Sequence, residues 1–244
     1  MDKPTIVLIH GAWHDSGCWS PVTSLLKEYQ YPFLTIDLLS AGGDLNTTAE
    51  DDAVHIQKTT SELVAEGKEV ILVMHSYGGI PGTLSAKGLL RKDRESEQKP
   101  GGIVSLVYVT SFLLPVGASL ASFLGGWPEW IVFDGDKMTV TNPGDVFYND
   151  LSDSAKEQHA PRLLHQAKPS FFSTLSYPAY NDVPTTYILC EQDRAIPLVA
   201  QQAMAGFAGP KVTTHILDSS HSPMLSMPNK VVDVIRGAAG EIAA

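Results

Sequence analysis

Six short apolar runs, separated by longer amphipathic stretches, constrain the fold of this chain more than any other feature. TIVLIH (5–10), PFLTIDL (32–38), EVILVM (69–74), IVSLVYV (103–109), TTYILC (185–190) and VTTHIL (212–217) are rich in Val, Ile, Thr and Tyr and have the length of strands. Between and after them, SPVTSLLKEYQ (20–30), TAEDDAVHIQKTTSELVAEG (48–67), GIPGTLSAKGLLRKD (79–93), PLVAQQAMAGF (197–207) and PNKVVDVIRGAAGEIAA (228–244) read as helices. In the second of these, Ala53, Ile56 and Leu63 lie near one face, and acidic residues fill the first turn, where they suit the helix dipole. Strands alternating with helices predict an α/β fold, a mainly parallel sheet flanked by helices on both faces. With 244 residues, 43% of them hydrophobic, the chain is long enough for one such domain over 1–244 with a sizeable core.

One segment breaks the rhythm. Residues 113–182, LLPVGASLASFLGG through SYPAYND, are punctuated by Pro and Gly and hold Trp127, Trp130, Phe133, Phe147, Phe171 and Phe172. A stretch so long and aromatic predicts an inserted helical cap rather than a linker. RKDRESEQK (91–99) carries both signs of charge and reads as a solvated loop.

The formal net charge of -10 argues against nucleic acid or an anionic membrane surface as partner, since both select clustered Lys and Arg. A neutral small molecule remains. The two cysteines, Cys18 and Cys190, make neither a zinc spacing nor a disulfide framework, so no metal and no cofactor are expected. MDKPTIVLIHG lacks the long apolar region of a signal peptide, and no apolar stretch reaches the roughly 18 residues of a membrane span. The expectation is a soluble cytoplasmic protein, monomer or homodimer.

Ligands of open α/β sheets gather at the carboxyl ends of strands. In VILVMHSYGGIPG (70–82) the third run ends in a serine followed by glycines and a helix. That is the setting of a nucleophile on a sharp strand-to-helix turn, G-x-S-x-G, although Met74 stands where the first glycine belongs. An ordinary helix cap is the plainer reading of Ser76. A serine is inert without a base, so partners must follow in the order Ser, acid, His. Asp193 in EQDRAIP and His221 in DSSHSPM sit after the last two strands, as that order requires. Glu191 is the rival acid; Asp193 is preferred because it begins the turn. His55, His159 and His165 fall on helices or in the insert, His215 lies inside a strand, and His75 points into the structure. An oxyanion hole needs two N–H donors. Tyr77, after the serine, supplies one. Ala12, in the turn His10-Gly11-Ala12 after the first strand, supplies the other.

Together IVLIHGAWHDSGCW, LTIDLLSAGGDL, VILVMHSYGG, YVTSFLLP, YILCEQDRAIP and DSSHSPMLSMP resemble the α/β-hydrolase superfamily over essentially the whole chain. Within it the chain is similar to the small esterases grouped with plant methylesterases and hydroxynitrile lyases. The resemblance implies Ser76 as nucleophile, His221 as general base and acid, Asp193 as its orienter, and Ala12 and Tyr77 as backbone donors. It also implies a cap over an apolar pocket, for which Gly11, Trp13, Trp127, Trp130, Phe133, Phe171 and Phe172 are the candidate lining, while Trp19 packs. Gly11 and Ser222 occupy the places where the lyases carry Thr and Lys, so cyanide elimination of that type is not expected. Hydrolysis of a small apolar ester or lactone is the leading expectation. Non-hydrolytic, C–C or lactone chemistry of specialised metabolism on the same site is an alternative, and a hydrolase-derived small-molecule receptor is another.

Overall fold

The computed structural model describes residues 3–209 and 211–241; the end of the helix expected over 228–244, residues 242–244, lies outside them. All six apolar runs form strands of one sheet: β1 (Thr5–Ile9), β2 (Phe33–Ile36), β3 (Glu69–His75), β4 (Gly102–Val109), β8 (Thr185–Cys190) and β9 (Val212–Leu217). Every neighbouring pair is parallel, in the order β2-β1-β3-β4-β8-β9. Parallel neighbours need crossovers, and helices lie on them: α1 (Ser20–Glu28), α2 (Ala49–Ala65), α3 (Gly79–Ser85) and α8 (Leu198–Phe207), while α9 (Pro223–Ser226) and α10 (Pro228–Ala238) follow the last strand.

Side chains of a strand alternate between faces, so each strand feeds two cores. Ile6 and Leu8 of β1, with Ile71 and Val73 of β3, pack against Trp19, Leu26 and Ile235 on one face. Val7 and Ile9, with Leu72 and Met74, pack against Ile56, Tyr77 and Ile80 on the other. These residues are fully or almost fully buried, and each stabilises the fold by roughly 1.5–3 kcal/mol. Helix α2 begins at a capping box in which the Thr48 side chain accepts from Asp51 N–H and the Asp51 carboxylate accepts from Thr48 N–H. Three expectations are corrected. The helix foreseen over 228–244 stops at Ala238, and Gly240 beyond it has φ of +82°. The helix foreseen over 79–93 stops at Ser85, because Gly88 turns the chain with φ of +75°. The charge run 91–99 is not all loop. It forms α4 (Arg91–Ser96), with Arg91 paired to Glu95 one turn on and to Glu69.

The segment between β4 and β8 carries the short helices α5 (Leu120–Leu124), α6 (Pro143–Val146) and α7 (Asp153–His159). It also carries a feature absent from the sequence reading, a three-stranded antiparallel sheet of β5 (Ile131–Asp134), β6 (Lys137–Val140) and β7 (Gln166–Ala167). Backbone bonds fasten this insert to the loops after β1 and β2: Ala167 N–H to Ser40 O at 2.8 Å, Gly42 N–H to His165 O at 2.8 Å, and Leu164 N–H to Trp13 O at 2.7 Å. No helix among the described residues is long and apolar enough to cross a membrane.

Candidate active site

Ser76 follows the last residue of β3 and opens a 3-10 turn, Ser76–Gly78, that runs into α3. Its φ is +52°, a left-handed conformation that side chains other than glycine rarely adopt. The Ser76 carbonyl fixes that conformation by accepting from Phe112 N–H at 3.0 Å and from Ser111 Oγ at 2.7 Å. The same crowding explains two glycines. A Cβ on Gly79 would collide with Ser111 Oγ and sit 2.5 Å from Phe112 O, and one on Gly78 would collide with His10 O.

Met74 raised the question of how the elbow survives without its first glycine. The side chain is fully buried and runs under α3, where a Cβ on Gly82 would lie 2.5 Å from its Sδ. Gly82 thus leaves open the space that Met74 fills, and the strained φ at Ser76 persists beside it.

Three strand ends bring Ser76, His221 and Asp193 into one hydrogen-bonded chain. His221 Nε2 lies 3.0 Å from Ser76 Oγ, and His221 Nδ1 lies 2.7 Å from Asp193 Oδ2. All three are buried. Asp193 Oδ1 accepts from the N–H groups of Ala195 (2.7 Å) and Ile196 (2.8 Å), and Oδ2 accepts a further bond from Thr110 Oγ1. These three bonds hold the carboxylate in place. Glu191, the rival acid, is exposed at the strand end. Behind His221, the ring of His75 lies 4.7 Å away, centre to centre, and its Nε2–H donates to the His221 carbonyl at 2.8 Å. Burial holds the His75 pKa well below the usual histidine value, so it is neutral.

The turn after β1 is held from several sides. His10 Nε2 accepts from Leu38 N–H at 3.0 Å, which leaves Nδ1–H to donate to the Gly11 carbonyl at 2.8 Å. The Gly11–Ala12 peptide is planar and trans, so with its carbonyl held there the Ala12 N–H is turned to the opposite edge. His14 Nδ1–H donates to the Ala12 carbonyl at 2.8 Å, and Nε2 accepts from Tyr148 Oη at 2.9 Å. Burial pulls the His14 pKa down to about 3. Trp13 has φ of +64°. Its N–H donates to Gln166 Oε1 at 3.3 Å and its Nε1–H to Met138 O at 3.2 Å. Tyr77 follows Ser76, and its hydroxyl donates to Asp52 Oδ2 at 2.8 Å.

A narrow cleft opens onto Ser76, Ala12, Tyr77 and His221. Of the candidate lining residues, Trp13, Trp130 and Phe171 line it, together with Phe112, Phe147, Leu120, Leu124 and Ile131. Gly11, Trp127, Phe133 and Phe172 do not. Gly11 backs onto the elbow, where a Cβ would fall 2.7 Å from Ser76 Cβ and 2.9 Å from His75 Nδ1. Trp127, Phe133 and Phe172 form a partly exposed cluster on the insert, in which Trp127 stacks on Phe171 at 6.2 Å. Among the described residues no cluster of His, Cys, Asp and Glu has the arrangement of a metal site. Sequence reasoning missed Thr110, although it directly follows β4 and the strand-end rule that pointed to Asp193 reaches it equally. Asp52 was missed for a better reason, since first-turn acids of a helix are normally exposed and this one is buried.

Known proteins resemble this chain over nearly its whole length. The alpha/beta hydrolase family profile matches residues 6–234. An alpha/beta hydrolase of Aspergillus novofumigatus, nvfD, is 30% identical over 253 residues, spanning 99% of this chain and 98% of the relative. Methylesterase 9 of Arabidopsis thaliana is 26% identical over 253 residues, spanning 93% of this chain and 94% of the relative. The solved structure of a pyrethroid hydrolase from Sphingobium faniae shares the fold at a TM-score of 0.77, with 23% identity and 97% of each chain covered. Sheet order and family match agree, and the chain belongs to the alpha/beta hydrolase family.

Proposed function

We propose that this protein is a serine hydrolase that cleaves a small, mostly apolar carboxylic ester through an acyl-enzyme. The observation that carries the reading is the chain Ser76 Oγ–His221 Nε2–Asp193 Oδ2, at 3.0 and 2.7 Å, opening into an apolar cleft. His221 Nε2 takes the Ser76 proton as Oγ attacks the ester carbonyl. The N–H groups of Ala12 and Tyr77 receive the oxyanion. The carbon–oxygen bond to the alcohol breaks, and the leaving alkoxide takes the proton from His221. Water then gives a proton to His221 and attacks the acyl carbon; the acyl–Oγ bond breaks as His221 returns that proton to Ser76 Oγ, which releases the acid. Asp193 holds His221 with Nε2 toward the serine and stabilises the imidazolium that forms.

The substrate class follows from the lining. Apart from the reacting groups, the cleft presents aromatic and aliphatic side chains and no cation to pair a carboxylate. A charged acyl group would lose its hydration without a partner, whereas an aromatic or branched neutral one buries apolar surface. The relatives named methylesterases support a small alcohol as leaving group. The test is hydrolysis of a panel of methyl and aryl esters by the wild type beside Ser76→Ala and His221→Ala. A rate that falls by about 10⁴-fold or more in both variants supports the reading. A rate that persists in folded Ser76→Ala refutes it.

A further inference from the structure

The insert reaches the turn after β1 through one buried amide. Gln166, on β7, is fully buried, as are its two hydroxyl partners. Its Oε1 accepts from Trp13 N–H at 3.3 Å, while its amide nitrogen donates to Ser40 Oγ and Ser170 Oγ, both at 2.8 Å. Ser40 passes the connection on. Its Oγ donates to Asp52 Oδ2 and its N–H donates to Asp52 Oδ1. Asp52, fully buried on α2, accepts from the Tyr77 hydroxyl on the same Oδ2. One continuous run of hydrogen bonds therefore links Trp13, the residue after Ala12, to Tyr77, the residue after Ser76. Ala12 and Tyr77 are the two residues whose N–H groups the proposed mechanism uses.

Two further contacts tie the same parts together. Trp13 is a bulky residue at positive φ, a conformation that persists only where the surroundings over-determine it. Here the insert does so, through Gln166 Oε1, Met138 O and the Leu164 N–H. Phe171, next to Ser170, stacks on the Tyr77 ring at 5.5 Å with the planes 19° apart. Both walls of the oxyanion site are thus braced by the insert rather than by the sheet alone.

We propose that Gln166 is a positioning residue that, with Ser40 and Asp52, sets the separation and direction of the two oxyanion donors, so that docking of the insert completes the site. The inference rests on the reading of Ser76 as the nucleophile. It does not touch substrate binding in the cleft, because Gln166, Ser40 and Asp52 do not line it. It therefore makes a split prediction. Gln166→Met keeps the length of the side chain and removes its polar atoms, leaving Trp13 N–H without an acceptor. A small misplacement of reacting groups can cost about 10²-fold.

The experiment is steady-state hydrolysis of the best aryl ester by Gln166→Met, Ser40→Ala and wild type. It is accompanied by inhibition with a trifluoromethyl ketone, whose adduct with Ser76 bears an oxyanion, and with its non-fluorinated ketone, which stays trigonal. The expected result for Gln166→Met is a kcat lower by about 10- to 100-fold, KM within about 3-fold, and weaker trifluoromethyl ketone binding by the same factor as kcat. Binding of the trigonal ketone stays at the wild-type value. Ser40→Ala, which deletes a single hydroxyl between Gln166 and Asp52, gives a smaller kcat loss with the same split and serves if Gln166→Met does not fold. Wild-type kcat in either folded variant overturns the proposal. So does a loss that falls equally on both inhibitors, which would make Gln166 a packing residue only. A wild type without esterase activity is a separate outcome, and it would overturn the reading of Ser76 itself.

Discussion

A neutral histidine that donates one hydrogen bond and accepts another has no freedom left, and His10 is in that state. Its Nδ1–H holds the Gly11 carbonyl and its Nε2 receives Leu38 N–H, so it locks the peptide that bears the Ala12 N–H. His10→Ala releases that carbonyl and is expected to lower kcat on an aryl ester by about 10-fold or more with little change in KM, a rate comparison that needs only initial velocities. Thr110 acts on the other side of the site. It donates to the same Asp193 oxygen that receives His221, and bonds to charged groups are worth about 1.5–3 kcal/mol. Thr110→Val keeps the shape and deletes the hydroxyl; a kcat reduced by up to about 10-fold, together with a lower thermal midpoint, is the expected outcome.

At the scale of elements, the elbow between β3 and α3 depends on what lies under it. Met74 fills a site that Gly82 leaves open, and the two residues belong to one packing solution. Met74→Gly removes a fully buried side chain and is expected to destabilise the fold by about 3 kcal/mol, measurable as a lower urea midpoint. Gly79→Ala acts differently. Its added methyl meets Ser111 Oγ and Phe112 O, the neighbours that hold the Ser76 carbonyl, so activity should fall by at least about 100-fold even where the protein still folds. The six strands were legible in the sequence because each is a mostly apolar, β-branched run of strand length, and Ser76, Asp193 and His221 were placed at strand ends because each follows such a run. The antiparallel sheet of the insert was not legible. Its strands are four residues or fewer, and β7 is the two residues Gln166–Ala167, too short to carry a period. Gln166 and Asp52 were hidden for a related reason. Each is polar, each is buried only by partners distant in sequence, and neither Gln nor a first-turn Asp ordinarily marks a core. Trp127, Phe133 and Phe172 lie outside the cleft lining, and composition names aromatic segments without saying which face they turn to it.

Across the whole molecule, three neutral histidines, His10, His14 and His75, are buried around one site, and burial lowers all three pKa values. The unfolded chain would bind protons at these groups near pH 6.5, whereas native His14 binds one only near 3. Between those values the unfolded state carries the extra proton, so stability is full above about pH 6.5 and falls as the pH drops through the window. Urea titrations at pH 7.5 and 5.5 should show the lower midpoint at 5.5, with up to about 1.4 kcal/mol per pH unit from each buried histidine. His14→Gln should make that dependence shallower. The account as a whole stands on one atom, Ser76 Oγ, as the group that becomes acylated. The most direct measurement is to treat the protein with an activated aryl phosphonate ester and locate the adduct by peptide mass spectrometry. A single stoichiometric adduct on Ser76, absent in Ser76→Ala and slowed in His221→Ala, is the predicted result. No adduct in the folded wild type, or one on any other residue, would contradict it.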